Sequence, residues 1–331
     1  MGKCKKYIKI ILLVLASIIA IASILSVFRN NEIRYMKMLD FPRIQIFIVS
    51  AISLVLVGIM LRKRKWYYNF IFIGLLIGIV INGSYLINYT PIVSTEVPTY
   101  STVENTDQVV SILVANVKMS NKNTTSLLNL ISQKKPDLVL AMEIDSYWNK
   151  KLEHLENEYP YYQRTINDVA YGMVLYSKFP FEDLDVSYLT NENVPSFESL
   201  IKLDNNKNFI LHCLHPVPPV YFEDLPDNKG EDEVAMKIIG QKVSNSNYPS
   251  IVAGDFNDVV WSHVDEITQT KKLLFDVRVG RGFYNSFSAE SLLMKWPLDH
   301  VFVTKEFEVK KLERLGKIGS DHYPIYVELV L

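Results

Sequence analysis

The chain has 331 residues, and its charge divides unevenly: residues 1–104 hold 12 Lys and Arg against 4 Asp and Glu, a net +8, and 105–331 hold 23 against 32, a net −9. A basic flank suits anionic lipid headgroups and an acidic body suits solvent or bound cations, so the two parts face different surroundings. Two cysteines (Cys4, Cys213) and six histidines exclude a disulfide framework and disfavour a structural zinc site, and no glycine-rich phosphate loop follows a strand.

Three apolar stretches open the sequence at Tyr7–Phe28, Ile44–Leu61 and Trp66–Tyr89, each near the roughly 20 residues a helix needs to cross hydrocarbon. They predict three transmembrane helices and a membrane region over 1–89. Lys3, Lys5, Lys6 and Lys9 resemble the basic region of a signal peptide, but the apolar run is long for one and two more spans follow. With the Arg62–Lys65 run they predict a cytoplasmic amino terminus, although the loop from Arg29 to Arg43 carries four basic residues of its own. Three spans then put everything after Tyr89 on the extracellular side of the cell membrane.

Residues 90–107 are rich in Thr, Ser, Pro and Asn and read as a linker. The domain expected over 108–331 begins with an apolar run, Val109–Ala115, ending at Asn116. Leucines at helical spacing over Thr124–Gln133, stopped by Pro136, lead to a second apolar run, Leu138–Met142, ending at Glu143. A right-handed strand, helix, strand unit brings Asn116 and Glu143 to one sheet edge. Tyr147–Glu158 reads as a helix. Tyr171–Ser177, Leu184–Leu189, Glu198–Leu203 and Phe209–Leu214 are short, β-rich and separated by turn residues, so they predict a meander. The last ends at His215, followed by Pro216, Pro218 and Pro219, a stiff loop. An acidic stretch, Glu223–Glu233, leads into a helix reaching about Val243. Ile251–Asp258 is a buried strand with Gly254 allowing a sharp turn, presenting Asp255 and Asn257 two residues apart. Leu298–Val303 carries Asp299 and His300 at its start; Gly319–His322 precedes a last strand, Pro324–Val330.

Five separated segments thus bring polar groups to strand ends: Asn116, Glu143, His215, Asp255 with Asn257, and Asp299 with Asp321 and His322. Their order, with the local sequences GDFN (254–257), DHV (299–301) and SDHYP (320–324), resembles the endonuclease/exonuclease/phosphatase superfamily from about Val109 to Leu331. HPVPP at 215–219, Trp261–Ser262 soon after GDFN, and the preceding apolar helices are similar to its bacterial membrane-tethered members. The resemblance implies an α/β fold, a four-layer α/β sandwich of two packed mixed sheets flanked by helices, here preceded by three transmembrane helices.

Hydrolysis of a phosphodiester needs neutralised non-bridging oxygens, an oriented water and a stabilised leaving oxygen. The expected metal set is Glu143, with Asn116 supporting through its amide oxygen and Asp321 lending a second carboxylate, for Mg²⁺ or Mn²⁺. Asp255 is the expected base or water orienter, Asn257 the donor to phosphoryl oxygens, and Asp299 the group that fixes His322 and favours its charge. His215 is similar in position to a family histidine that faces the scissile phosphate. Members that cut DNA often carry a further acidic residue where Val117 and Lys118 stand, which puts a second metal position in question. His300 and Cys213 read as structural. The expectation is a membrane-anchored, metal-dependent phosphoesterase, with the lipid bilayer as its setting and a phospholipid headgroup or small phosphoester ahead of nucleic acid as substrate. The alternative is a non-catalytic anchored binding domain that keeps the fold.

Overall fold

Strict two-residue alternation along the central strands decides the layering. In the computed structural model, which describes residues 2–29, 34–61, 65–101, 108–204, 207–223, 225–227, 234–261 and 263–331, the chain forms two compact units, 1–88 and 89–331. Residues 62–64 of the basic run, 102–107 of the expected linker, Ser262 and most of the acidic stretch over 223–233 lie outside the described residues.

The first unit contains α1 (Gly2–Leu25), α2 (Arg43–Leu61) and α3 (Trp66–Leu86). All three helices are long and apolar enough to cross a membrane, over Cys4–Phe28, Arg43–Met60 and Trp66–Tyr89. Small Ala16 and Ala20 let α1 pack closely with Val57, Tyr68 and Leu75, while Ile8, Ile11, Ile18 and Ile21 point outward. Arg29 and Arg43 are buried on the Asp40 carboxylate, and Arg43 also donates to Asn82 Oδ1 at 3.3 Å.

The second unit holds two six-stranded mixed sheets. In the first sheet the order is β11 (Glu308–Arg314), β12 (Ile325–Val330), β1 (Val109–Asn116), β2 (Leu138–Met142), β4 (Met173–Ser177), β3 (Tyr161–Thr165). The second runs β5 (Phe181–Ser187), β6 (Ser196–Lys202), β7 (Asn208–Leu214), β8 (Ser250–Asp255), β10 (Asp299–Val303), β9 (Phe275–Asp276). Each sheet has one parallel pair at its centre, β1 with β2 and β7 with β8. Each pair is joined through a helix, α4 (Thr124–Lys134) or α6 (Val234–Asn245). Such strands are covered on both faces and therefore read as unbroken apolar runs. Ile112, Val114, Leu138, Leu140, Leu211, Cys213, Ile251, Ala253, Val301 and Val303 fill the space between the sheets. The alternate residues Leu113, Ala115, Val139 and Ala141 meet Leu127 and Ile131 of α4 and Trp148 and Leu152 of α5 (Ser146–Leu152). On the far side Val252 and Phe302 meet Met236, Ile239 and Val243 of α6 and Val264 and Ile267 of α7 (Val264–Thr268). The expected four layers are therefore present.

The differences are local. The helix expected over Tyr147–Glu158 divides into α5 and a 3₁₀ turn, Glu153–Asn157. Residues 90–101, expected as part of a linker, pack on the second unit. Val97 is buried in the inter-sheet core, Thr99 bridges to Val309, and Arg281 Nη2 donates to Val97 O and Thr99 Oγ1 at 2.8 Å. Tyr89 sits edge-on to Trp261 with its hydroxyl 3.4 Å from Asp276 Oδ2. A few anchors and one pairing with edge strand β11 order a segment whose composition is that of a loop.

Candidate active site

The alternation that builds the core also delivers the polar groups. Continuing the inward-facing series by two residues leads from Ile112 and Val114 to Asn116, from Leu211 and Cys213 to His215, from Ile251 and Ala253 to Asp255, and from Val303 and Val301 to Asp299. Register aligns them: Asp299 pairs with Asp255 across the antiparallel β8 and β10, and the parallel Leu214 and Gly254 pair puts His215 beside Asp255. Gly254 is needed for that close approach rather than for a turn, since a Cβ there would lie 1.8 Å from Leu214 O and its φ is +152°. Glu143 stands on the opposite parity. Its left-handed φ of +62° accompanies a turn of the side chain away from the helix layer and toward Asn116. Such a conformation in a non-glycine residue costs about 1–3 kcal/mol and is held only where surroundings fix it.

One amide links the two sheets. Asn116 Nδ2 donates to Glu143 Oε1 at 2.8 Å and to Asp255 Oδ2 at 2.9 Å. Glu143 Oε2 also accepts from Met119 N at 3.0 Å. Asp255 Oδ1 accepts from Asn257 N, and Asn257 Nδ2 donates to Pro216 O, both at 2.9 Å, so the GDFN turn is tied to the proline-stiffened loop. His322 Nδ1 donates to Asp299 Oδ2 at 2.7 Å, leaving Nε2 3.5 Å from Asp255 Oδ2; His215 Nε2 approaches the same oxygen at 3.8 Å. Ser286 Oγ accepts from Asp299 N and Ser320 Oγ from His322 N, both at 3.0 Å, fixing the pair from behind.

The two imidazoles are driven apart. Burial opposes charge on His322, but Asp255 and Asp299 outweigh it and push the ring up to about 10. Burial pulls His215 down to about 4 against the attraction of Asp255. Burial also raises the Asp255 carboxyl, although His322 works the other way, and it raises Glu143 despite the hydrogen bonds from Met119 and Asn116.

The family model for the Endonuclease/Exonuclease/phosphatase family matches residues 113–322, more than half of the chain and the whole of this constellation. The chain belongs to this family. Endonuclease/exonuclease/phosphatase folds recur among solved structures. D. rerio TDP2 complexed with single strand DNA product is 14% identical with a TM-score of 0.56, over 67% of this chain and 99% of that one. A Bacteroides vulgatus endonuclease/exonuclease/phosphatase is 17% identical with a TM-score of 0.53, over 67% and 98%. The human nocturnin catalytic domain with bound sulfate anion is 15% identical with a TM-score of 0.51, over 67% and 94%. No curated protein sequence matches the chain.

Members of this family are generally divalent-metal dependent, and the donors here fit a hard cation. Asp255, Asp299 and His322 offer atoms that all lie within 4.8 Å of one another, and among the described residues nothing hydrogen-bonds the buried Asp299 Oδ1; with the His322 ring charged and held by Asp299, the donors this group leaves to a cation are carboxylate oxygens. Burial raises both Glu143 and Asp255, a cost that a nearby cation offsets.

The eight expected residues thus fall in one region, with two differences in detail. Asn116 was expected to offer its amide oxygen to a cation. That oxygen accepts from Lys118 N at 2.9 Å, and it is the amide nitrogen that faces the carboxylates. Asp321 was expected to lend a second carboxylate, and it is paired with Lys118 Nζ at 3.0 Å. Lys118 stands in the sequence only as a departure from an acidic position; its left-handed φ of +58° and its pairing leave no mark there. Tyr171 reads in the sequence as a strand residue, yet its buried ring lies 4.8 Å from that of His215, and burial with Asp255 and Glu143 nearby raises its hydroxyl.

Proposed function

We propose that the second unit hydrolyses phosphoester bonds with Mg²⁺ or Mn²⁺ at the extracellular face of a cell membrane that the first unit spans. The family includes metal-dependent nucleases and phosphoesterases. The observation that carries the reading here is the buried Asp255 carboxylate standing 3.5 Å from His322 Nε2 and 3.8 Å from His215 Nε2.

Glu143 would hold the cation, with the Asn116 amide fixing its orientation. A bound divalent ion would neutralise phosphoryl charge and make water more acidic. Asp255 orients the attacking water and takes its proton, aided by the hydrogen bonds of Asn116 and Asn257, which hold its two oxygens. His322, kept charged by Asp255 and Asp299, donates to a phosphoryl oxygen or to the leaving oxygen; His215, neutral, faces the phosphate from the other wall. Asn257 keeps a second amide hydrogen for a non-bridging oxygen.

A phospholipid headgroup or another small phosphoester is the preferred substrate. A body of net −9 opposes a long polyanion, and the membrane-spanning helices hold the site where headgroups are concentrated. The topology is supported by the amino-terminal lysines and the Arg62–Lys65 run, set against the four basic residues of the loop from Arg29 to Arg43. Purified full-length protein with Mg²⁺, offered phospholipid vesicles, RNA and plasmid DNA, should turn over the lipid. Plasmid nicking at physiological salt without lipid turnover would replace this substrate with nucleic acid, the ligand class present in the D. rerio TDP2 structure.

A further inference from the structure

The hairpin over residues 287–296 is rooted on the catalytic pair and ends in an apolar tip. At its base Phe287 N donates to Trp296 O at 2.9 Å, the two rings stack at 5.8 Å, and the Phe287 ring lies 5.0 Å from that of His322. Ala289 N donates to Asp321 O at 2.7 Å. The tip is built: Ser291 Oγ accepts from Met294 N at 2.9 Å and from Leu293 N at 3.3 Å, and Ser288 N donates to Met294 O. This fixed turn holds Leu292, Leu293 and Met294 at 92%, 80% and 50% exposure. Among the described residues of the second unit, the large apolar side chains most exposed are Leu292, Leu293 and Ile92. Ile92 follows the third span, which ends at Tyr89, by only three residues. By connectivity alone it stands at the bilayer boundary, and Tyr89 is also the first residue of the catalytic unit.

An ordered turn that presents adjacent aliphatic side chains to solvent exposes apolar surface that association can cover. The occupant follows from the same chain: three membrane-spanning helices lead directly into the catalytic unit, so the apolar phase within reach is their bilayer. We infer that the 291–294 tip inserts into the lipid surface and brings the His322 wall of the site onto headgroups. The inference rests on the lipid reading of the substrate and specifies how that substrate is reached. Lys295, whose Nζ lies 5.5 Å from the centre of the Tyr323 ring, follows the tip in sequence and supplies a cation for headgroup phosphates.

The test uses the full chain reconstituted in vesicles of phosphatidylcholine and phosphatidylglycerol. Leu292→Cys carries an environment-sensitive fluorophore on a Cys4→Ser background, Cys213 being buried. Insertion predicts a blue shift and quenching by brominated acyl chains. Leu292→Ser with Leu293→Ser should lower the ratio of vesicle turnover to turnover of a soluble phosphodiester by about tenfold. A probe quenched by iodide but indifferent to brominated lipid overturns the inference, whether a protein partner or nothing covers the tip. The two readings fail separately: lipid turnover with a water-exposed probe sinks the insertion alone, and an inserted probe without lipid turnover sinks the substrate alone.

Discussion

Each polar side chain of the site is set by a neighbour that can be removed by itself. Glu143→Gln keeps the Asn116 contact and loses the charge, so it should weaken Mg²⁺ affinity on the order of 100-fold while changing stability by about 1 kcal/mol or less, read by metal titration and thermal melting. Wild-type affinity in that variant would remove Glu143 from the metal site. The imidazoles predict a pH dependence whose sign differs for each. His322 is raised to about 10, so its stabilisation is complete below the unfolded value near 6.5 and is lost as pH rises through 10. His215 is lowered to about 4, so its neutral burial is favourable above 6.5 and weakens as pH falls toward 4. At saturating Mg²⁺ the alkaline limb of the rate profile should therefore follow His322, and Asp299→Asn should move it to lower pH. An unmoved limb would dismiss Asp299 as the group that sustains the charge. Lys118 holds Asp321, which predicts one divalent ion per chain in equilibrium dialysis; two would mean that the pair opens. Asp255, His215 and Asn116 were legible because each ends an apolar run on the inward parity. Lys118 and Tyr171 were not, because one depends on a left-handed backbone and the other on packing across a loop.

At the scale of elements, close strand approach and a pinned segment set the site's geometry. Gly254→Ala places a methyl group against Leu214 O, so β7 must separate from β8 or the chain must unfold, with an expected loss of about 3 kcal/mol or more by denaturant titration. Val97→Ala should cost about 2 kcal/mol, as its side chain is buried in the inter-sheet core; a change within error would mean that residues 90–101 are held by the Thr99 pairing and the Arg281 hydrogen bonds instead. The central strands were legible because both faces are covered. The edges were not: β11 is EVKKLER, whose charges protect an exposed edge and break the apolar pattern, β9 has two residues, and β3 exposes Tyr161 and Tyr162. The 90–101 segment escaped for the related reason that two or three buried anchors suffice to order a chain of loop composition.

For the molecule as a whole, three helices long and apolar enough to cross a membrane precede an acidic unit of the endonuclease/exonuclease/phosphatase family. Protease added outside intact cells should remove the unit after Tyr89; its full protection, with the cells intact, would reverse the proposed orientation. In the proposed reading the cluster joined by Asn116, Asp255 and His322 performs metal-dependent phosphoester hydrolysis. His322→Ala and Asp255→Asn should each lower turnover on the order of 100-fold or more, and together by much less than the product, because the two act as one unit. The most direct measurement is turnover of a chromogenic phosphodiester by purified full-length protein, before and after EDTA, with Mg²⁺ or Mn²⁺ restored, for the wild type and His322→Ala. Activity should be abolished by chelation, recovered with either ion and largely absent from the variant; turnover indifferent to EDTA, or equal in the variant, would rule out this cluster as a metal-dependent active site.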